Sequence, residues 1–196
     1  MQKDIMTENK QRIISELVEE LRTIQNEIEI RGIEVFETEK HSDTQAREQL
    51  FRQKRLYAWC YWAVFQYFLE EYNLSQRGIS EKLGKQASTI AQMIHRNTFP
   101  SSVFETTVMA FLSGISSDND FQNELNGLKR ANVISTFLVL GECSILDRNT
   151  ILIQFEDSEH EKDSIVMKSL SRALKDLNED ELSKVYDYVE WLKSRR

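Results

Sequence analysis

Between residues 74 and 100 the chain gathers side chains suited to anions and to planar hydrogen-bonding partners: Gln76, Arg77, Lys85, Ser88, Gln92, His95, Arg96 and Asn97. A glutamine amide donates and accepts together, which matches adenine N6 and N7, while cationic and amide side chains meet phosphate oxygens. Covalent and metal chemistry have no comparable set. The chain lacks a Gly-rich phosphate loop, His-Glu-x-x-His, a cysteine pair at zinc spacing and Gly-x-Ser-x-Gly. Of its three histidines, His41 lies in a polar stretch and His160 among Asp157, Glu159, Glu161 and Asp163, a run that reads as solvated loop. His95 sits near the end of a short helical pattern, where phosphate contact or dipole complementation fits better than ligation. No catalytic residue, metal or cofactor is expected, and the chain is read as a non-enzyme.

Two helices must position those side chains. Ile79 and Leu83 lie four apart on one face of the first, and Ile90, Met93 and Ile94 form a stripe on the second. Gly84 lies between them, where the chain can take φ > 0 and turn sharply. Ser75 is placed to cap the first helix, and Gln86 or Ser88 to open the second. Ser80 is small where two crossing helices must approach, whereas Gly78 is an unfavourable residue inside a helix, at about 0.5–1 kcal/mol relative to Ala.

At these residues the sequence resembles the lambda-repressor-like, or Xre-type, helix-turn-helix family. Leu74-Ser75-Gln76 looks like the family's Leu-Ser/Thr-Gln opening, Ile79-Ser80 its aliphatic-small pair, and Leu83-Gly84 its helix end and turn. Ser88-Thr89-Ile90-Ala91 is similar to the Ser-Thr-Ile-Ser core of the recognition helix, and Pro100-Ser101 to the Pro-Ser opening the next helix; Pro100 is the chain's single proline. Ile94, Asn97 and Ala87 depart from the pattern, standing where Glu, a basic or glycine-rich loop, and a long polar reader are common. The resemblance covers about residues 52–114. It implies that Gln76 contacts phosphate and braces the recognition helix, and that Ala87, Ser88 and Gln92 occupy its exposed reading positions. Gln92 is then the principal base reader, Ser88 bonds a base or phosphate, Ala87 offers a methyl contact, and Thr89 reaches the groove wall. Arg77, Lys85, His95, Arg96 and Asn97 are expected to hold the phosphate backbone.

Net charge is −7 over 196 residues, which at first opposes a polyanionic partner. The distribution reverses that. Residues 52–114 carry seven Lys or Arg against Glu70, Glu71, Glu81 and Glu105, a balance of +3, while residues 1–51 and 115–196 are each −5. So mild a surplus predicts that tight binding needs two modules acting together. Cys60 and Cys143 lack metal-ligand spacing and read as reduced, buried thiols. No apolar run reaches the length of a membrane span and no signal-peptide pattern opens the chain, so a cytoplasmic, nucleoid-associated protein of bacterial or phage type is expected.

The expected architecture is mainly α, in three regions: 1–49, an N-terminal amphipathic helix; 50–116, the helix-turn-helix domain; and 117–196, a C-terminal oligomerisation or effector region. Ile14, Leu17, Leu21, Ile24 and Ile28 follow the 3-4-3-4 spacing of a coiled-coil seam, which serves self-association or packing on the same chain equally well. Residues 37–49 read as a polar break. Residues 50–72 form a helix aromatic on both faces, whose surplus of Tyr57, Tyr61, Trp62 and Phe65 must meet the N-terminal helix or another subunit. Val103, Phe104, Thr107, Val108, Phe111 and Leu112 predict a closing helix, and Phe121, Leu125 and Leu128 another over 118–130. Residues 133–140 and 150–155 are β-prone and predict a small hairpin within 133–155, although continuous apolarity also fits a buried helix. In the tail, Asn178 and Glu181 make a capping-box pattern and Leu182, Val185, Tyr188, Val189 and Leu192 an apolar face; residues 177–193 resemble the C-terminal helical tails of some Xre-type regulators and antitoxins, which implies multimerisation through Leu182, Val185, Val189 and Leu192.

The expectation is a sequence-specific, double-stranded DNA-binding transcriptional regulator, a repressor acting as a dimer, tetramer or other homo-oligomer on repeated half-sites. A regulatory protein or peptide partner is also expected, and no membrane. Alternatives are a DNA-binding antitoxin or a phage packaging adaptor and, from another class, a protein-interaction scaffold whose helix-turn-helix no longer meets DNA.

Overall fold

A computed structural model describes residues 2–38 and 43–142, together with Lys184 and Trp191. The chain divides into two compact units, 1–153 and 154–196. The first runs across both expected regional boundaries, near residues 50 and 116. Lys184 and Trp191, in the second, are helical and exposed. The tail residues Leu182, Val185, Val189 and Leu192, as well as Cys143, His41, His160 and the β-prone run 150–155, lie outside the described residues.

Among the described residues the fold is helical, with no strand. In order come α1 (Gln2–Arg31), α2 (Val35–Thr38), α3 (Thr44–Glu71), α4 (Gln76–Lys82), α5 (Thr89–His95), α6 (Ser102–Ser113), α7 (Asn119–Leu125), a 3₁₀ turn (Asn126–Leu128) and α8 (Arg130–Glu142). None of these helices is long and apolar enough to cross a membrane.

Helix α3 is the axis of the first unit, and its two-faced aromaticity is consumed inside the chain. Leu56 through Trp62, Val64, Phe65, Phe68 and Leu69 are all buried. Its rings meet Phe36 of α2 through Tyr57 (5.9 Å), Phe137 of α8 through Trp59 (4.9 Å), Phe104 of α6 through Trp62 (5.9 Å) and Phe121 of α7 through Phe68 (5.0 Å). Between residues 53 and 69 no residue of α3 is fully exposed, so this part of the helix has no polar face to spare. It also starts earlier than the sequence pattern suggests, because the Asp43 carboxylate accepts from the Gln45 backbone N–H and caps the first turn. Residues 44–49 are therefore helix, not part of the expected polar break.

The seam of α1 closes on the same chain. Leu17, Leu21, Ile24 and Ile28 are buried, with Ile14 half-buried. Helix α1 packs beside α8, where Gln25 Nε2 donates to Ser135 Oγ at 3.1 Å, and Arg52 of α3 reaches both Glu20 oxygens at 3.0 Å. Of the two roles left open for this seam, packing on the same chain is the one in which these four residues are buried.

The strand expectation for residues 133–140 is likewise corrected, for these residues form the body of α8. Val133, Ile134, Phe137 and Leu140 are buried at helical spacing. Its β-branched apolar content reflects a helix wedged between α1 and α3, the environment in which a helix loses its amphipathic signature. Phe121, Leu125 and Leu128 share the buried side of α7 and the 3₁₀ turn, as their spacing predicts, and the Asp118 carboxylate caps α7 through the Asp120 and Phe121 N–H groups.

Candidate nucleic-acid interface

The pair α4–α5 is built from a few local devices. Asn73, at φ +50, reverses the chain leaving α3, and Ser75 Oγ then accepts from the Gly78 N–H at 2.9 Å. A Cβ on residue 78 would lie 2.8 Å from that hydroxyl, so Gly78 makes room for the cap and is not the defect its helix propensity implies. Gly84 adopts φ +67, and the Lys85 N–H returns to the Ser80 carbonyl at 2.9 Å, closing α4 into the turn. Ser80 is fully buried, and its Oγ accepts from the Ile90 N–H at 3.3 Å. One hydroxyl thus takes up an orphan amide of α5 and fixes the distance between the two helices.

With Ile90 buried against α4, the outward side of α5 follows from 3.6-residue geometry. Ser88, Ala91, Gln92 and His95 are exposed on it, with Lys85 and Gln86 in the turn before and Arg96 just after. Seven helical residues span about 10 Å, short enough to lie across one groove. Gln92 Nε2 donates to Ser88 Oγ at 3.1 Å, so the two foremost reading candidates form one hydrogen-bonded unit with acceptor capacity to spare. Ser88 occupies the N-cap position of α5 without capping it through its side chain. Ala87 and Thr89 are half-buried, not fully outward, and Gln76 is half-buried at the first position of α4. Ala91, absent from the sequence-derived set, takes a central place on the outward face; its small size gave no chemical signal.

Two of the residues expected to meet phosphate have hydrogen-bond partners within the chain. Arg77 is exposed on α4, but its Nε donates to Glu81 Oε1 at 2.9 Å, an i,i+4 pair that partly offsets its charge and raises its pKa. Asn97 is half-buried at φ +45, and its Nδ2 donates to the Arg55 carbonyl of α3 at 3.1 Å. Asn97 thus follows the end of α5 in the left-handed conformation with its amide bonded to α3.

The segment after α5 is held at further points. Trp62 Nε1 donates to the Thr98 carbonyl at 2.8 Å, and Arg130 Nη2 to the Pro100 carbonyl at 2.7 Å. Ser101 then caps α6 by accepting from the Phe104 N–H at 3.2 Å. Arg130 also pairs through Nε with Glu105 of α6, both side chains less than a tenth exposed, and its guanidinium stands over the Phe99 ring at 5.1 Å. The Tyr57 hydroxyl donates to Glu105 Oε1 at 3.3 Å; burial and the Glu105 carboxylate push its pKa far up. The neighbouring Tyr61 hydroxyl is buried with no hydrogen-bond partner among the described residues, and burial raises it as well. Burial also pushes the Cys60 thiol up, keeping it protonated.

This ion pair bears on the charge of the candidate face. Glu105 turns inward to Arg130 and adds no exposed negative charge, while of the seven cations of residues 52–114 Arg52 pairs with Glu20 and Arg77 with Glu81. Sequence reasoning counted Glu105 and Arg130 in different regions, and their separation of 25 positions carries no periodic signal. No protein-family model, curated protein or solved structure matches the chain.

Proposed function

We propose that α4 and α5 are a helix-turn-helix of the lambda-repressor-like kind and that the protein is a sequence-specific, double-stranded DNA-binding regulator. One observation carries this reading: α5 keeps its inner side locked to α4 through Ile90 and Ser80 while presenting Ser88, Ala91, Gln92 and His95 outward, flanked by Lys85 and Arg96. A short helix held from behind, with a hydrogen-bonding centre and cationic ends, suits insertion in a major groove. Gln92 reads a base edge, oriented by its bond to Ser88. Ala91 provides the close apolar contact expected earlier of Ala87. Lys85, His95 and Arg96 set register on the phosphates, with Lys82 on α4 beside them.

The working unit is a dimer or higher oligomer on an inverted repeat, with reading helices about 34 Å apart, and its effect is repression by promoter occlusion. The α1 seam is occupied within the chain, so pairing of copies uses another surface. The scaffold alternative draws its support from the pairing of Arg77 with Glu81 and of Gln92 with Ser88, which lowers the number of disengaged polar groups on this face.

The test is selection from a random duplex pool at low salt, beside the Ser88→Ala, Gln92→Ala double variant. Enrichment of a repeated half-site by the unmodified protein, with altered or lost preference in the variant, is the expected outcome. Absence of any enrichment at low salt, where phosphate attraction is strongest, selects the scaffold reading.

A further inference from the structure

We propose that Arg130, 35 positions beyond the end of α5, is a positioning residue for the reading helix, so that α8 is a working part of the DNA-binding unit. The inference rests on the reading of α5 as the DNA-contacting helix. Its basis is the geometry of residues 97–101, within the 96–101 link between α5 and α6. Asn97 and Thr98 are tied to α3 by hydrogen bonds to Arg55 and from Trp62. Pro100, two residues after Thr98, is tied by Arg130 alone among the hydrogen bonds described.

Arg130 is suited to this because a guanidinium has donors in a rigid fork. Nη2 takes the Pro100 carbonyl while Nε takes Glu105 on the first turn of α6, so the start of α6 and the end of the link are fixed by one rigid group. The face of the same group covers Phe99, which packs on Tyr57 at 5.5 Å. Without it, the Pro100 carbonyl and the Glu105 carboxylate would both be buried with a partner missing, and the link would shift to hydrate them. Such a shift acts on Asn97, the left-handed residue that ends α5, and through it on the orientation of Gln92. Sub-ångström errors there matter, since a bidentate contact to a base edge tolerates little rotation.

A merely structural role would lower stability and DNA binding together; a positioning role separates them. The first variant is Arg130→Met with Glu105→Gln, which removes both charges at once and leaves Tyr57 an acceptor. Neutralising both partners avoids a lone buried charge. The second is Arg130→Lys, whose single ammonium holds Glu105 but cannot hold Pro100 in the same fork geometry. The control is Leu140→Ala, which weakens the far end of α8 without touching 97–101. Each is measured for melting temperature, for the ratio of binding to the enriched duplex over a scrambled one, and, as free protein, for amide hydrogen exchange at 88–101.

The expected result is a fall of about tenfold or more in the binding ratio for both Arg130 variants, of the size of a mismatched base pair, with faster exchange over 97–101. Leu140→Ala should melt earlier yet keep the ratio. Retention of the full ratio in Arg130→Lys and in the double variant overturns the proposal, as does an equal loss in Leu140→Ala. Should the double variant fail to fold, Arg130→Lys decides by the same ratio. Should the unmodified protein enrich no duplex, the reading of α5 fails, and the exchange data on free protein still decide: protection of 97–101 unchanged in Arg130→Lys overturns the positioning claim by itself.

Discussion

Helix α3 and the α4–α5 pair stand at opposite ends of one scale. The first has twelve buried residues and rings meeting those of α2, α6, α7 and α8; the second buries little beyond Ile79, Ser80 and Ile90. Two seven-residue helices are too short to be stable alone, and their shape is borrowed from the scaffold behind them. This division allows the outward face of α5 to vary in sequence at small cost to the fold, because almost none of it is packed. It also makes the few ties between pair and scaffold disproportionately important.

The contrast sharpens when each region is broken in turn. Phe65→Ala, at the fully buried centre of α3, should cost about 3–5 kcal/mol, read as a lowered denaturant midpoint with all activity lost together. Ile90→Ala removes the one fully buried apolar side chain of α5 and should cost about 2–4 kcal/mol, with amide exchange accelerating in α4 and α5 before the remainder. An equal rise throughout α3 would show the pair to be part of the scaffold's cooperative core. Gly84→Ala meets no neighbour within 4 Å, so its cost is the left-handed backbone alone, about 1–2 kcal/mol in the same unfolding assay. Gln92→Ala should leave stability within about 0.5 kcal/mol while weakening discrimination among duplexes by about 1–3 kcal/mol, measured by competition binding.

Alkaline pH probes α3 by another route. The Tyr57 and Tyr61 hydroxyls and the Cys60 thiol all have pKa values raised by burial. The folded state therefore holds these protons more tightly than the unfolded chain, where they leave near the ordinary values of 9.0 for the thiol and 10.0 for the phenols. Their stabilising contribution is complete below that range and declines as pH rises through it. The melting temperature should accordingly fall from about pH 9 upward, and a Tm flat to pH 11 would contradict the burial of these groups.

Legibility in the sequence followed the range of the interaction. The Ser75 cap, the left-handed Gly84 and the buried Ser80 are devices contained within a few residues, and each is where the residue types predict; the start of α6 after Pro100-Ser101 is where the family resemblance implies it. Gly78 was misjudged because helix propensity ignores the room that a cap hydroxyl needs. Residues 133–140 looked β-prone because a helix buried between two others shows no polar stripe. The partner of the α1 seam was undetermined for a similar reason: heptad spacing specifies a buried face and not what covers it. The Glu105–Arg130 pair and the bond from Asn97 to the Arg55 carbonyl join residues 25 and 42 positions apart, beyond any local pattern.

The central claim is that the outward face of α5 meets duplex DNA, and residue-resolved amide shifts on titration with a selected duplex at low salt test it most directly. The account predicts changes concentrated at Lys85, Ser88, Ala91, Gln92, His95 and Arg96, with α1 and the buried face of α8 unmoved. Changes confined to other helices, or no change at saturating duplex, would contradict it.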